Sequence, residues 1–258
     1  MFDSRLPVSY YKIIGTLNEA HGVFVAQHRE TGKVCVLKKL PVYHLSVYAA
    51  LYRYPVKNTP RIYALYEDRE RQELTVVEEY ISGETLEEYT DICGALPEEE
   101  VLGYMLQLTE ILAQLHAFRP PLIHRDIKPS NVILTEDGRI VLLDMNAAKP
   151  ADASEDRDTM LLGTQGFAAP EQYGFGASTT VTDFYAVGAL MNYLLTGGAP
   201  GAHASGRLKP VIDRCQALRP QDRYPDVNRL REALETLKDT SGKPSRSGIP
   251  LLRSLFKQ

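Results

Sequence analysis

The hydrophobic period of this sequence changes near Thr85, from strand-like alternation to a helical repeat, which demands a sheet unit followed by a helical one. Before the change, residues 11–17, 22–29 and 33–40 read as three consecutive strands, with Thr31-Gly32 turning the second into the third. A short helix is predicted over 43–54, stopped by Pro55, and strands follow over 62–68 and 73–80. Beyond Thr85, a helix over 98–118 sets Val101, Tyr104, Met105, Leu108, Ile111, Leu112 and Leu115 on one buried stripe. Short strands around 132–134 and 140–143 flank the turn Glu136-Asp137-Gly138, and 183–195 is so apolar that it predicts a helix buried on most sides. Helices over 208–218 and 225–237 complete the second half. The expected class is α+β: a small antiparallel sheet with one helix over 1–80, a mostly helical lobe over 81–239, a basic tail over 240–258, and a cleft near 80–84.

Composition narrows the setting. At 258 residues and 44% hydrophobic, the chain is long enough for two lobes sharing a cleft. A net charge of −4 argues against nucleic-acid partners, which need a basic surplus. Cys35, Cys93 and Cys215 form no CxxC pair, which suits free thiols in a reducing compartment and neither a disulfide scaffold nor a zinc site. The start, MFDSRLPVSYYKI, lacks a basic segment ahead of an apolar run, so no secretory leader is expected. No apolar stretch approaches the ~18 residues of a membrane span, so the expectation is a soluble cytoplasmic protein without a transmembrane segment. The tail holds Lys243, Arg246, Arg253 and Lys257 and no acid, with Leu251, Leu252, Leu255 and Phe256 available as one helical face. A weak membrane or partner contact through that face competes with a frayed or back-docked terminus.

The chemistry is concentrated in His124-Arg125-Asp126-Ile127-Lys128-Pro129-Ser130-Asn131. Phosphoryl transfer needs an accepting hydroxyl in line with the terminal phosphate, and cations to hold the charge on its oxygens. The Asp126 carboxylate suits orienting and deprotonating a hydroxyl, Lys128 suits reaching the phosphate, and the Asn131 amide supplies a hard oxygen for Mg²⁺. Asp144, closing the apolar run Val141-Leu142-Leu143, is a second such oxygen ligand. His124 is read as a packing residue, and the remaining histidines show no metal-ligand spacing.

These residues at this spacing resemble the eukaryotic-type protein kinase family, bacterial serine/threonine members among them, over roughly residues 10–238. His124–Asn131 stands as the family's catalytic loop, Asp144-Met145-Asn146 in the place of its DFG, Ala169-Pro170-Glu171 as its APE, and Gly163-Thr164 as the substrate-facing GT. Cys35-Val36-Leu37-Lys38 matches VAIK, Glu79-Tyr80-Ile81 the hinge, and Glu84 a position that contacts ribose or substrate. The resemblance implies a bilobal protein-kinase-like fold, ATP and Mg²⁺ as cofactors, and transfer of the γ-phosphate to a protein serine or threonine. It further implies Asp126, Lys128 and Lys38 as catalytic residues, and Asn131 and Asp144 as metal ligands. Nucleotide contacts are implied at Gly15, Gly22, Val36, Lys38, Glu78, Glu79, Ile81, Glu84 and Ile133. Asp183 would hold the catalytic loop, Arg223 would pair with Glu171, and Thr164 would wall the substrate site. Arg125 would meet an anion on the activation segment, a phosphate at Thr159 or Ser154 or the ready-made carboxylate of Asp156 or Asp158; the alternative is a solvated acidic loop.

Four departures from the family pattern stand out. The glycine loop keeps only Gly15 and Gly22, gains one residue and carries Glu19 near the phosphates. Between Glu30 and Glu67 there is no acid, while Lys33, Lys38, Lys39, Arg53, Lys57 and Arg61 give that stretch a formal +6. The helix glutamate that pairs with the phosphate-binding lysine is therefore missing, with Val47 in its place, and Glu78 on the fifth strand is the candidate substitute. Met145-Asn146 replaces Phe-Gly, trading backbone freedom for a flexible apolar filler. Only about ten residues separate Thr196-Gly197-Gly198 from the next helix, where the family has a further docking helix. These departures keep open two alternatives: a pseudokinase acting as a nucleotide-responsive scaffold, and a kinase of a small or unusual substrate.

Overall fold

The structure is a computed structural model that describes residues 8–151, 164–174 and 176–239. The sheet lobe contains Tyr11–Asn18 (β1), Val23–His28 (β2), Val34–Leu40 (β3), the helix Leu45–Arg53 (α1), Ile62–Asp68 (β4) and Glu73–Glu79 (β5). Its five strands are antiparallel in the order β1-β2-β3-β5-β4. The central strands are apolar on both faces: Cys35, Leu37 and Val77 join Ala26 in a small outer cluster, while Leu40, Leu74 and Val76 join the main core with Val47, Tyr48 and Leu51 of α1. The helix begins at Leu45 rather than at 43, because Tyr43 turns its hydroxyl to Glu67 Oε1 at 3.2 Å instead of entering the helix.

The helical lobe opens with Glu84–Thr85 (β6) and Leu86–Cys93 (α2), a helix that periodicity did not reveal. Its start is nevertheless written locally. Thr85 Oγ1 accepts from the Glu88 N–H at 3.1 Å while Glu88 Oε2 accepts from the Thr85 N–H at 2.8 Å, a reciprocal capping box. Glu98–His116 (α3) buries its whole expected stripe from Val101 to Leu115. Leu122–Ile123 (β7), Val132–Leu134 (β8), Ile140–Leu142 (β9) and Lys149–Pro150 (β10) follow, with β6-β8-β9 forming one small sheet and β10-β7 another.

Thr180–Thr196 (α4) starts three residues earlier than expected, since Thr182 Oγ1 accepts from the Thr179 N–H at 2.9 Å, and ends at Gly197 in the left-handed region, φ 65°. Lys209–Cys215 (α5) is shorter than the expected 208–218, and Val227–Asp239 (α6) starts after Asp226, whose carboxylate accepts from the Arg229 N–H at 3.0 Å. No helix occupies 197–207. Arg207 ties this short connection to the acids at the start of α3, with Nε 3.2 Å from Glu98 Oε2 and its other arm on Glu99, where the helix N-terminus already favours negative charge. No helix among the described residues is long and apolar enough to cross a membrane. Ser154, Thr159, Asp156, Asp158 and the tail over 240–258 lie outside the described residues.

Candidate active site

A cleft of about 1140 Å³ runs between the lobes. Lys38, Glu78, Asp126, Lys128, Asn131 and Asp144 all line it, together with Gly22, Val36, Glu79, Ile81, Ile133 and Thr164. Two residues expected at the nucleotide do not line it. Gly15 is held inside β1 opposite Val25, and exposed Glu84 is paired to Leu134 in β6, so the acid that lines the rim on this side is Glu88.

Asp183 organises the floor. It is fully buried at the first turn of α4, and its carboxylate accepts from the backbone N–H groups of His124 at 3.1 Å and Arg125 at 2.9 Å. His116 Nε2, a partner sequence reasoning missed, lies 2.9 Å from the same carboxylate. These contacts hold Arg125 at φ 69°, a backbone state that non-glycine residues keep only when neighbours fix it. His124 Nδ1 accepts from the Asp126 N–H at 3.3 Å, and Nε2 faces the Leu143 carbonyl at 2.9 Å. Those partners assign the Nε2–H neutral tautomer and make His124 a strut between loops rather than a base.

The strut aims Asp126 into a closed network. Asn131 Nδ2 donates to Asp126 O at 2.8 Å and Oδ2 at 2.9 Å; Lys128 Nζ lies 3.0 Å from Oδ2 and donates to Thr164 Oγ1 at 2.8 Å; Thr164 donates to Asp126 Oδ1 at 3.0 Å. Behind it, Glu171 and Arg223 form a bidentate pair at 2.6 and 2.9 Å, with the Arg223 side chain fully buried. Thr182 Oγ1 adds a bond to Glu171 Oε1 at 2.8 Å, and Gln172 Nε2 donates to the Arg125 carbonyl at 2.8 Å. Thr182 and Gln172 carried no sequence signal of these roles, because their partners are distant in the chain.

In the sheet lobe, strand register decides the geometry. Lys38 stands opposite Val76, which puts Glu78, two residues on, at the diagonal position of the same face. The Lys38 Nζ lies 2.9 Å from Glu78 Oε1 and 3.3 Å from Asp144 Oδ1. Val47 of α1 is fully buried in the apolar core. Burial disfavours the Lys38 ammonium, but the two carboxylates outweigh it and hold its pKa above the ordinary lysine value. Burial pushes the Glu78 carboxyl above the usual glutamate range, and Lys38 offsets only part of that rise. At Asp144 burial also pushes upward, but the Lys38 ammonium prevails and the carboxyl stays below its usual range.

The donor set suits a magnesium nucleotide. Asp144 and Asn131 offer hard oxygens, and Asn131 commits its N–H groups to Asp126, leaving its amide oxygen for a cation. Among the described residues no cluster of three or more His, Cys, Asp or Glu could hold a metal by itself. Seven acidic side chains among the described residues line the cleft against three lysines (Lys38, Lys39 and Lys128), so an anionic triphosphate needs accompanying cations here.

Residues 13–258 match the family described as protein kinase domain. Serine/threonine-protein kinase F of Synechocystis sp. is 33% identical, over 65% of this chain and 37% of its own length. Serine/threonine-protein kinase PknA of Nostoc sp. is 27% identical over 87% of this chain and 47% of its own length, and serine/threonine-protein kinase PrkC of Bacillus subtilis is 34% identical over 55% and 22%. The chain thus spans less than half the length of each of these curated relatives. A sheet lobe on a helical lobe, with this loop network in the cleft between them, has its counterpart in that match: the chain belongs to the protein kinase domain family.

Proposed function

We propose that this protein is a serine/threonine protein kinase that transfers the γ-phosphate of Mg-ATP to a protein hydroxyl. The observation that carries the reading is the Asp126 network: a carboxylate bonded to Lys128, Asn131 and Thr164 on the cleft floor, within one pocket with Asp144 and Lys38. Asp126 would orient the substrate hydroxyl and take its proton, a role worth about 10²–10⁴-fold in rate. Lys128 and Lys38 would hold phosphate oxygens, and Thr164 would wall the acceptor side. Asn131 and Asp144 would hold Mg²⁺, which when bound neutralises charge on the phosphate oxygens. Val36, Ile133 and the Glu79–Ile81 segment would clasp the adenine, and Gly22 would cover the phosphates. On this reading the lobes would divide between residues 80 and 81, just past the end of β5 at Glu79. Three free thiols suit a cytoplasmic setting.

The names of the curated relatives support serine/threonine specificity. The test is transfer from γ-labelled ATP with Mg²⁺, with the protein alone and with generic protein acceptors, beside Asp126→Asn. Label on serine or threonine, reduced at least about a hundredfold in the variant, is the expected result. Nucleotide binding without transfer would identify a pseudokinase instead, and transfer confined to small hydroxyl compounds would identify a small-substrate kinase.

A further inference from the structure

Helix α1 contributes no carboxylate to the cleft, since LSVYAALYR contains none, yet one of its side chains still reaches the loop that carries Asp144. Tyr48 is 1% exposed, its ring set in the main core, and its hydroxyl donates to Asn146 Oδ1. Asn146 lies two residues beyond Asp144, and its backbone N–H helps to hold the Asp144 carboxyl below its usual range; Asp144 Oδ1 lies 3.3 Å from Lys38 Nζ, and Lys38 is bonded to Glu78. Asp144 itself sits at φ 59°, a left-handed state that a non-glycine residue keeps only when surrounding bonds fix it.

We propose that Tyr48 is a positioning residue for Asp144, acting through Asn146, and that this neutral hydrogen bond replaces the missing helix–lysine ion pair as the link between α1 and the metal-binding loop. The two unusual positions explain each other. A glycine after Met145 would offer no side-chain acceptor, and a buried tyrosine hydroxyl without one would be costly. Burial holds the Tyr48 hydroxyl protonated, so it remains a donor across the working pH range. Any displacement of α1 is then felt at Asp144 directly, while Lys38 keeps its partner on β5.

The proposal rests on Asp144 being the metal ligand of the kinase reading, and its test does not depend on turnover. In Tyr48→Phe the ring stays and only the hydroxyl is lost. Hydrogen exchange of the nucleotide-free protein should then quicken by about tenfold at amides 143–148 and stay unchanged in β3 and β5. Calorimetry should show the Mg²⁺-dependent gain in ADP affinity reduced by about fivefold, with ADP affinity without Mg²⁺ unaltered. Asn146→Ala should reproduce both effects, and the double variant should be no worse than either single one. Unchanged exchange at 143–148, effects that add in the double variant, or a lower melting temperature with normal magnesium dependence would each overturn the proposal. If the wild type bound Mg-ADP but transferred no phosphate, the kinase reading alone would fail, and these measurements would still decide the role of Tyr48.

Discussion

In the helical lobe, Asp183, Glu171 and Arg223 are buried at 0, 4 and 2% exposure, and each is bonded to elements far away in sequence. In the sheet lobe, Lys38 and Glu78 are buried nearly as deeply, at 5 and 8%, but they meet across adjacent strands through register alone. The first region keeps every contact that aims Asp126. In the second, α1 carries no carboxylate and the lysine's support comes from its own sheet. The difference teaches where the family's chemistry tolerates change. A cation that holds phosphate needs only a nearby carboxylate, whereas a base that must meet a hydroxyl in line needs its whole loop fixed.

The contrast sharpens most under removal of a buried charge. Arg223→Leu should destabilise the fold by about 3–5 kcal/mol in urea unfolding, because Glu171 is left buried without its partner. Asp213→Asn, which breaks an exposed pair with Lys209 on α5, should cost less than about 0.5 kcal/mol in water screened by salt. Similar losses at the two sites would erase the distinction between an anchored floor and an ordinary surface.

A middle-sized effect concerns pH. Glu78 titrates above the ordinary glutamate value of 4.5, so falling pH protonates it and leaves Lys38 with Asp144 alone. The phosphate-transfer rate should therefore fall on an acid limb lying above pH 4.5, and Glu78→Gln should shift that limb to lower pH while lowering the plateau. An acid limb identical in both proteins would remove Glu78 from the account. A smaller effect than that of Arg223 lies at α2, where Thr85→Ala deletes a capping box and should cost about 1 kcal/mol in thermal unfolding.

Much of this was legible in the sequence because the signals are local. The strands of the first lobe, the buried stripe of α3 and the loop from His124 to Asn131 are each written in contiguous residues, and the absence of acids between Glu30 and Glu67 can be read directly. Thr85 and Glu88 also spelled a helix start, yet α2 is short and its apolar repeat too brief to register as a period. Other features were not written locally. His116 on Asp183 and Tyr48 on Asn146 depend on how helices cross, which no spacing along the chain encodes. Gly15 and Glu84 failed to line the cleft for a related reason: a position in a motif fixes neither which way a strand faces nor where a bulge falls, and β1 is bulged on either side of the Gly15–Thr16 step.

The sheet-borne support of Lys38 is tested most directly by calorimetric titration of Mg-ATP into Glu78→Gln beside the wild type. Binding weakened by about tenfold, with the melting temperature little changed, is the predicted result, because a buried charge-assisted bond that holds Lys38 is lost. Equal affinity in the two proteins would mean that Lys38 needs no partner on β5.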